Sequence, residues 1–111
     1  GKTMEKVYNV AWSGDRKEDA SGNLSPVGNT VNLADASFEN TNGAPELMTV
    51  WKDPDFNPDQ AAFYYVRVLE IPSPTWILYD KVKYGLSDVP GEAPLIQQER
   101  AWSSPIWYSP K

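Results

Sequence analysis

Hydrophobic and polar residues alternate along three stretches of this chain, and a period of two is typical of β-strands. The stretches are residues 3–12, 46–53 and 61–71. The third, AAFYYVRVLEI, is rich in β-branched and aromatic residues and carries bulky apolar groups on both faces. It is therefore predicted to be a central strand that neighbouring layers cover over most of both sides.

The segment that follows this strand begins with two prolines and ends with a glycine. Pro72 and Pro74 have no N–H group to donate to a ladder, so the strand is predicted to stop there. Residues 75–85, TWILYDKVKYG, have helical spacing and end on Gly85, where a C-cap glycine belongs. The sequence therefore predicts one short helix in a connection between strands.

The chain closes with two further strand segments. One is predicted at about residues 95–103 and the other at Ile106–Tyr108, after a kink at Pro105. A short apolar alternation within residues 27–40 allows one more strand. Several short strands, one helix and proline-rich connections are typical of an all-β sandwich, here in a single domain over residues 1–111.

Composition excludes several classes of function. The 111 residues include no cysteine and no histidine, which excludes disulfides, thiolate or histidine metal sites and a Ser-His-Asp triad within this chain. The net charge is −5 and the sequence has no cluster of lysine or arginine, so the chain is not expected to bind a nucleic acid. No run approaches the ~18 apolar residues of a membrane span, so membrane insertion is not expected. No cofactor is expected either.

One loop resembles the start of a calcium site. Oxygen-bearing side chains stand at every second position of KDPDFNPDQ: Asp53, Asp55, Asn57 and Asp59. An EF-hand loop would need glycine at its sixth position and glutamate at its twelfth, but Pro58 and Tyr64 occupy them. Asp-Pro and Asn-Pro turns explain the same residues and are favoured over calcium binding.

The aromatic residues allow two interpretations. Strand packing explains most of them, since aromatic residues are favoured strand formers, while exposed rings beside acidic groups would suit carbohydrate binding. Trp76 is an exception because it follows two prolines in a connection. Arg67 is predicted to form a structural ion pair, with Glu99 or Asp53, or a stacked guanidinium. Trp76, Arg67 and Trp107 are the candidate interdomain or ligand surface.

Nothing in the chain selects a catalytic group. The spacing of its scattered carboxylates singles out no acid–base pair among Glu70, Asp80, Glu92 and Glu99. Ser103 and Ser104 lie outside any nucleophile-elbow motif and have no histidine base in the chain. The chain is therefore predicted not to be an enzyme.

Several segments together resemble a known family: FYYVRVLEIP with a later ERAWSSPIWY, and also EKVYNVAWSGDR, VGNTVNL and GAPELMTVWKDPDF. They resemble the C-terminal end of a large family of bacterial proteins of unknown function, which look like distant relatives of polymerase-and-histidinol-phosphatase (PHP) metallophosphoesterases. The resemblance implies an Ig-like or fibronectin-like sandwich in which YYVRV pairs with AWSSPIWY and residues 72–94 are inserted between them. It also implies a periplasmic or otherwise exported location. It carries no catalytic residue onto this chain, because the family's His-x-His metal motifs lie upstream.

These observations lead to an accessory domain. The expectation is a non-catalytic C-terminal fragment of a longer protein that packs on an upstream PHP-like hydrolase domain and stabilises it. A carbohydrate-binding module that uses exposed aromatic residues is the alternative. The abrupt opening GKTMEKVYNV also suggests that residues 3–12 form an edge strand, through which two copies of the chain are predicted to pair.

Overall fold

The computed structural model describes residues 3–111 of the chain. The helix and the strands found among these residues all lie in the second half of the chain. In chain order they are β1 (Ala62–Tyr64), β2 (Arg67–Pro74), α1 (Trp76–Tyr84), β3 (Ile96–Trp102) and β4 (Ile106–Tyr108). The strands predicted within residues 61–71 and at the end of the chain are therefore confirmed.

The four strands pair into two small antiparallel sheets, β1 with β4 and β2 with β3. Between the sheets, the Ser103 N–H donates to the Val66 carbonyl at 2.9 Å, and the Val66 N–H donates to Ser103 Oγ at 2.9 Å. The sheets therefore follow one another along a single two-stranded strip, called the ribbon below. The pairing that the family resemblance implied, with an insertion between the paired strands, is confirmed.

β2 continues through Pro72 and Pro74, so the prediction that these prolines end the strand is wrong. Pro72 lies opposite Gln98 and Pro74 lies opposite Ile96, after a register shift between Leu69 and Pro72. A proline removes a ladder hydrogen bond only where its N–H would face a partner, and at a bulge or an open edge it does not. A two-stranded ribbon has such an edge along each of its strands.

The insertion begins at a buried threonine. Thr75 is 4% exposed, its N–H donates to the Leu95 carbonyl at 3.0 Å, and its hydroxyl donates to the Pro94 carbonyl at 2.9 Å. These bonds join the start of α1 to the chain that enters β3. The insertion is thereby closed at the end of the ribbon.

α1 ends where the sequence predicted. Gly85 has a φ of 61°, in the left-handed region that glycine occupies without strain. The Leu86 N–H donates to the Lys81 carbonyl at 3.0 Å, as in a Schellman motif. The helix predicted over residues 75–85 is confirmed, with bounds of Trp76–Tyr84.

The first half of the chain differs from the sequence prediction. The strands expected at residues 3–12, 27–40 and 46–53 are not observed. Side chains instead bond to backbone carbonyls, from Trp12 to Arg16, from Ser13 to Asn42 and from Thr30 to Glu39. Polar side chains of this kind compete with ladder hydrogen bonds. The prediction of an edge strand at residues 3–12 is thus wrong, and pairing of two copies through this segment stays an untested prediction.

Gly43 marks the place where this first half meets β2. A Cβ atom added at Gly43 would lie 2.9 Å from Ile71 Cγ2, closer than real Cβ contacts. Only glycine allows the loop backbone to approach the strand this closely.

Burial is sparse throughout residues 3–111. The buried apolar residues are Ala36, Pro74 and Leu78, with Ala36 and Leu78 at 4% and 0% exposure, while Val68 and Leu69 in β2 stay half exposed. The radius of gyration is 19.0 Å, whereas a compact domain of this length measures about 13 Å. The expectation that the central strand is covered on both sides is therefore wrong for this chain. The predicted short strands of the second half of the chain and the single short helix are confirmed. A closed Ig-like sandwich stays a prediction.

The one helix found in residues 3–111 is not long and apolar enough to cross a membrane.

Because so little apolar surface is buried, the isolated 111-residue chain is expected to show no cooperative thermal unfolding transition. Burying one leucine stabilises a fold by roughly 2 kcal/mol, whereas ordering each residue costs about 1–2 kcal/mol. Circular dichroism and calorimetry on the isolated chain measure this directly. A sigmoidal melt with a calorimetric heat peak would contradict the expectation.

Candidate functional site

The Asp-Pro loop forms turns in which side-chain oxygens bind the backbone. Asp53 Oδ1 accepts the Asp55 N–H at 2.9 Å, and Asn57 Oδ1 accepts the Asp59 N–H at 3.0 Å. Both are Asx turns, the arrangement expected of Asp and Asn in tight loops. Residues 3–111 contain no group of three or more His, Cys, Asp or Glu side chains that could hold a metal ion. The geometry favours turns, and calcium binding by this loop stays an untested prediction.

Asp55 also binds two side chains from the start of the chain. Lys6 Nζ and the Tyr8 hydroxyl both donate to Asp55 Oδ2. The hydrogen bond from Lys6, followed by that from Tyr8, holds the pKa of the Asp55 carboxyl below its ordinary value. The ionised Asp55 carboxylate therefore stabilises this contact fully at pH values above the ordinary carboxyl pKa. This stabilisation is lost as the pH falls through the lowered pKa of Asp55. The contact ties residues 6–8 to the loop.

Asp53 is engaged from the ribbon. The Tyr64 hydroxyl donates to Asp53 Oδ2 at 2.7 Å, and this bond raises the pKa of the Tyr64 phenol. Each of the first two carboxylates of the loop therefore already has a protein donor. A calcium ion would compete with these donors for the carboxylate oxygens.

Aromatic rings gather beside this loop. The ring centroid of Trp51 lies 4.9 Å from that of Tyr8 and 6.4 Å from that of Tyr64. An open, mainly apolar cleft of about 400 Å³ lies between Trp51, Phe56, Tyr64 and Ile106. A ligand pocket normally encloses most of its ligand, and this cleft is too open to do so with residues of this chain alone.

The ribbon has two faces of different character, because cross-strand partners and alternate residues along a strand share a side. The first is called the aromatic–arginine face and consists of Phe63, Tyr65, Arg67, Leu69, Arg100, Trp102 and Trp107. The second is called the apolar face and consists of Tyr64, Val68, Ala101 and Ile106.

Three rings line one end of the aromatic–arginine face. The Phe63 centroid lies 6.2 Å from that of Tyr65, with 13° between the ring planes, and 5.1 Å from that of Trp107. Trp107 is 72% exposed. The candidate residue Trp107 thus belongs to an exposed row of aromatic side chains.

Arg67 continues this row, but its partner is not the predicted one. Its guanidinium lies 5.2 Å from the Tyr65 ring centroid and forms an ion pair with Glu5. The Tyr65 hydroxyl also donates to Glu5 Oε1, at 2.6 Å. An ion pair or a stacked guanidinium was expected, and Arg67 forms both, but the partners proposed for the ion pair, Glu99 and Asp53, are wrong.

Trp76 lies apart from these residues. It is the first residue of α1 and is 72% exposed. α1 follows β2 at one end of the ribbon, whereas Trp107 pairs with β1 at the other end. The three candidate surface residues therefore form no single site: Arg67 and Trp107 share a face, and Trp76 stands alone.

The serines have a structural role in the ribbon. Ser103 Oγ accepts the Val66 N–H and donates to the Ser104 carbonyl at 3.0 Å. Both ends of this hydroxyl are used to bridge the two small sheets at the kink before Pro105. The arrangement can organise a backbone, and it presents no base beside the hydroxyl.

Comparison with known proteins places this geometry in a family. A family model described as "Protein of unknown function (DUF3604)" matches residues 1–110. The chain belongs to this family. No curated protein and no solved structure matches the chain.

For this DUF3604 chain, the resemblance to a family of proteins of unknown function is confirmed. Membership of that family assigns no reaction to the chain. The relation to PHP metallophosphoesterases is a separate proposal.

Sequence reasoning missed Glu5, Lys6 and Tyr8 as partners of the ribbon and the loop. Their contacts join residues that are 47 to 62 positions apart in the chain. The carboxylates of the loop indicate that cations or hydrogen-bond donors lie nearby. The sequence alone does not show which residues supply them.

If the loop is a set of Asx turns, calcium is expected to leave it unchanged. Millimolar calcium should then shift the melting temperature of the full-length protein equally in the wild type and in an Asp55→Asn variant. The comparison removes any effect of calcium elsewhere in the protein. A larger shift in the wild type would show that the loop binds the ion.

Proposed function

We propose that this chain is a non-catalytic accessory segment that packs on an upstream PHP-like metal-dependent hydrolase domain of the same polypeptide and stabilises it. The observation that carries the proposal is the ribbon, which is exposed on both faces although its residues are largely apolar or aromatic. Soluble proteins rarely leave contiguous apolar patches of this kind uncovered.

The apolar face gives the clearest support. Val68 is 50% exposed and Ile106 is 73% exposed, and Ala101 is also exposed. A charged residue flanks this patch, since Glu99 lies two positions before Ala101 on the same side of β3. Each Å² of apolar surface removed from water contributes about 25 cal/mol, so covering this face would stabilise the protein. An apolar centre with a charged residue at its margin fits an interface between domains.

The lack of an internal core supports the same proposal. With Ala36, Pro74 and Leu78 as the buried apolar residues of positions 3–111, the ribbon has no layer of its own to rest on. An isolated two-stranded hairpin is marginally stable at best in water. The proposed hydrolase domain would supply the missing layer, and the ribbon would in turn cover part of that domain.

The PHP-like character of the partner rests on the resemblance of FYYVRVLEIP and ERAWSSPIWY to the C-terminal end of that group. The chain has no histidine, so any His-x-His metal motif would come from the partner domain. An exported or periplasmic location belongs to the same proposal. The chain's own role would be to hold the partner domain and to shape the rim of its site.

Carbohydrate binding is a second candidate function, and the row of Phe63, Tyr65 and Trp107 favours it. Phe63 and Tyr65 are nearly parallel, and Trp107 is 72% exposed. The apolar C–H face of a sugar ring is complementary to the negative face of an aromatic ring. This function would use the aromatic–arginine face and leave the apolar face for domain packing.

A charge placed on the apolar face tests the accessory role. In the full-length protein, Val68→Asp is expected to accelerate hydrogen exchange of β3 by about tenfold or more, because a carboxylate cannot be buried in an apolar interface. Ser87→Asp, in the exposed loop after α1, adds the same charge as a control. Unchanged exchange in Val68→Asp would contradict the proposal.

Binding of glycans to the full-length protein tests the second candidate. If it is correct, Trp107→Ala abolishes retention on a polysaccharide affinity gel and leaves the exchange of β3 unchanged. Equal retention of both proteins, or of neither, would count against a sugar-binding row.

A further inference from the structure

Arg100 lies on the aromatic–arginine face without a charge partner in residues 3–111. It is exposed and stands opposite Leu69, diagonal to Arg67 across the ribbon. The ion pairs found in this part of the chain join Lys6 to Asp55 and Arg67 to Glu5. The two arginines of the face therefore differ, since one is neutralised within the chain and the other is not.

The surroundings of Arg100 are those of a protein interface. Trp102 is 59% exposed two positions along the same strand, and Leu69 is 55% exposed opposite Arg100. Exposed tryptophan and arginine side chains on one surface are typical of the residues that dominate binding energy between proteins. Arginine also presents a rigid planar fork that fits a carboxylate with two parallel hydrogen bonds.

Burial of this face would impose a condition on whatever covers it. A guanidinium that loses water without gaining an acceptor is strongly destabilising. Glu5 is already bonded to Arg67 and to Tyr65. An acceptor for Arg100 would thus have to come from the covering surface.

We infer that the aromatic–arginine face is itself a docking surface, and that the partner domain presents a carboxylate to Arg100 there. The inference rests on the proposed function, because it takes the upstream domain of the same polypeptide as the occupant. It adds that the ribbon is covered on both sides: by an apolar surface on the Val68 side and by an acidic one on the Arg100 side. Charge complementarity selects the acidic surface, because the ion pairs found in residues 3–111 leave the guanidinium of Arg100 without a carboxylate.

Three variants of the full-length protein test the inference through hydrogen exchange of β2 and β3. Arg100→Glu is expected to accelerate exchange by about tenfold or more, because it places two carboxylates together. Arg100→Gln, which keeps much of the size without the charge, is expected to accelerate exchange less. Lys17→Glu makes the same charge reversal at an exposed loop position and is expected to change nothing.

The outcomes separate this inference from the proposed function. If Arg100→Glu is silent while Val68→Asp accelerates exchange, the acidic docking surface is wrong and the accessory role stands. If both are silent, both are wrong. Equal acceleration of exchange by Arg100→Glu and Arg100→Gln would show that only the packing of the Arg100 side chain matters. It would contradict the inferred carboxylate on the partner domain. If Arg100→Glu abolishes retention on an acidic polysaccharide and leaves hydrogen exchange unchanged, the face binds a glycan and the inferred protein partner is wrong.

Discussion

A two-stranded antiparallel ribbon has no third layer to cover either of its faces, and this constraint governs the rest of the structure. Backbone hydrogen bonds join residues 62–74 to residues 96–108, and Thr75 closes the insertion between them. These bonds define the path of the chain but bury few side chains. The main apolar surfaces of the ribbon stay exposed, so residues 3–111 stabilise it mainly through backbone hydrogen bonds.

The polar contacts follow from the same lack of a core. Glu5 reaches Arg67 and Tyr65 on the ribbon, while Lys6 and Tyr8 reach Asp55 in the loop. These bonds lie at exposed positions, where ion pairs contribute little to stability because water competes for both partners. They orient the first residues of the chain against the ribbon and give Asp55 in the loop two donors. The acidic loop is thus organised by the protein's own donors.

The two faces of the ribbon make different demands on a covering surface. The side around Val68 offers mainly apolar contact, with Glu99 at its margin, whereas the side of Arg100 needs an acceptor for a guanidinium. This asymmetry would fix the orientation of the ribbon between two surfaces, because a guanidinium turned toward an apolar layer would lose its hydration without compensation. The family match assigns no chemistry to the chain, so the argument for an accessory role depends on these surfaces.

The sequence by itself determined the local features whose causes are local. Gly85 ends α1 because its left-handed backbone suits glycine, and alternation in AAFYYVRVLEI and at the end of the chain predicted the ribbon strands. The tertiary structure decided which of the other alternating segments form strands at all. Alternation at residues 3–12 and 46–53 did not produce strands, because a strand needs a partner for its backbone groups and none is present there in the described residues. The partner of Arg67 was decided in the same way: Glu5 lies 62 residues away, and only the folded chain brings it to the ribbon.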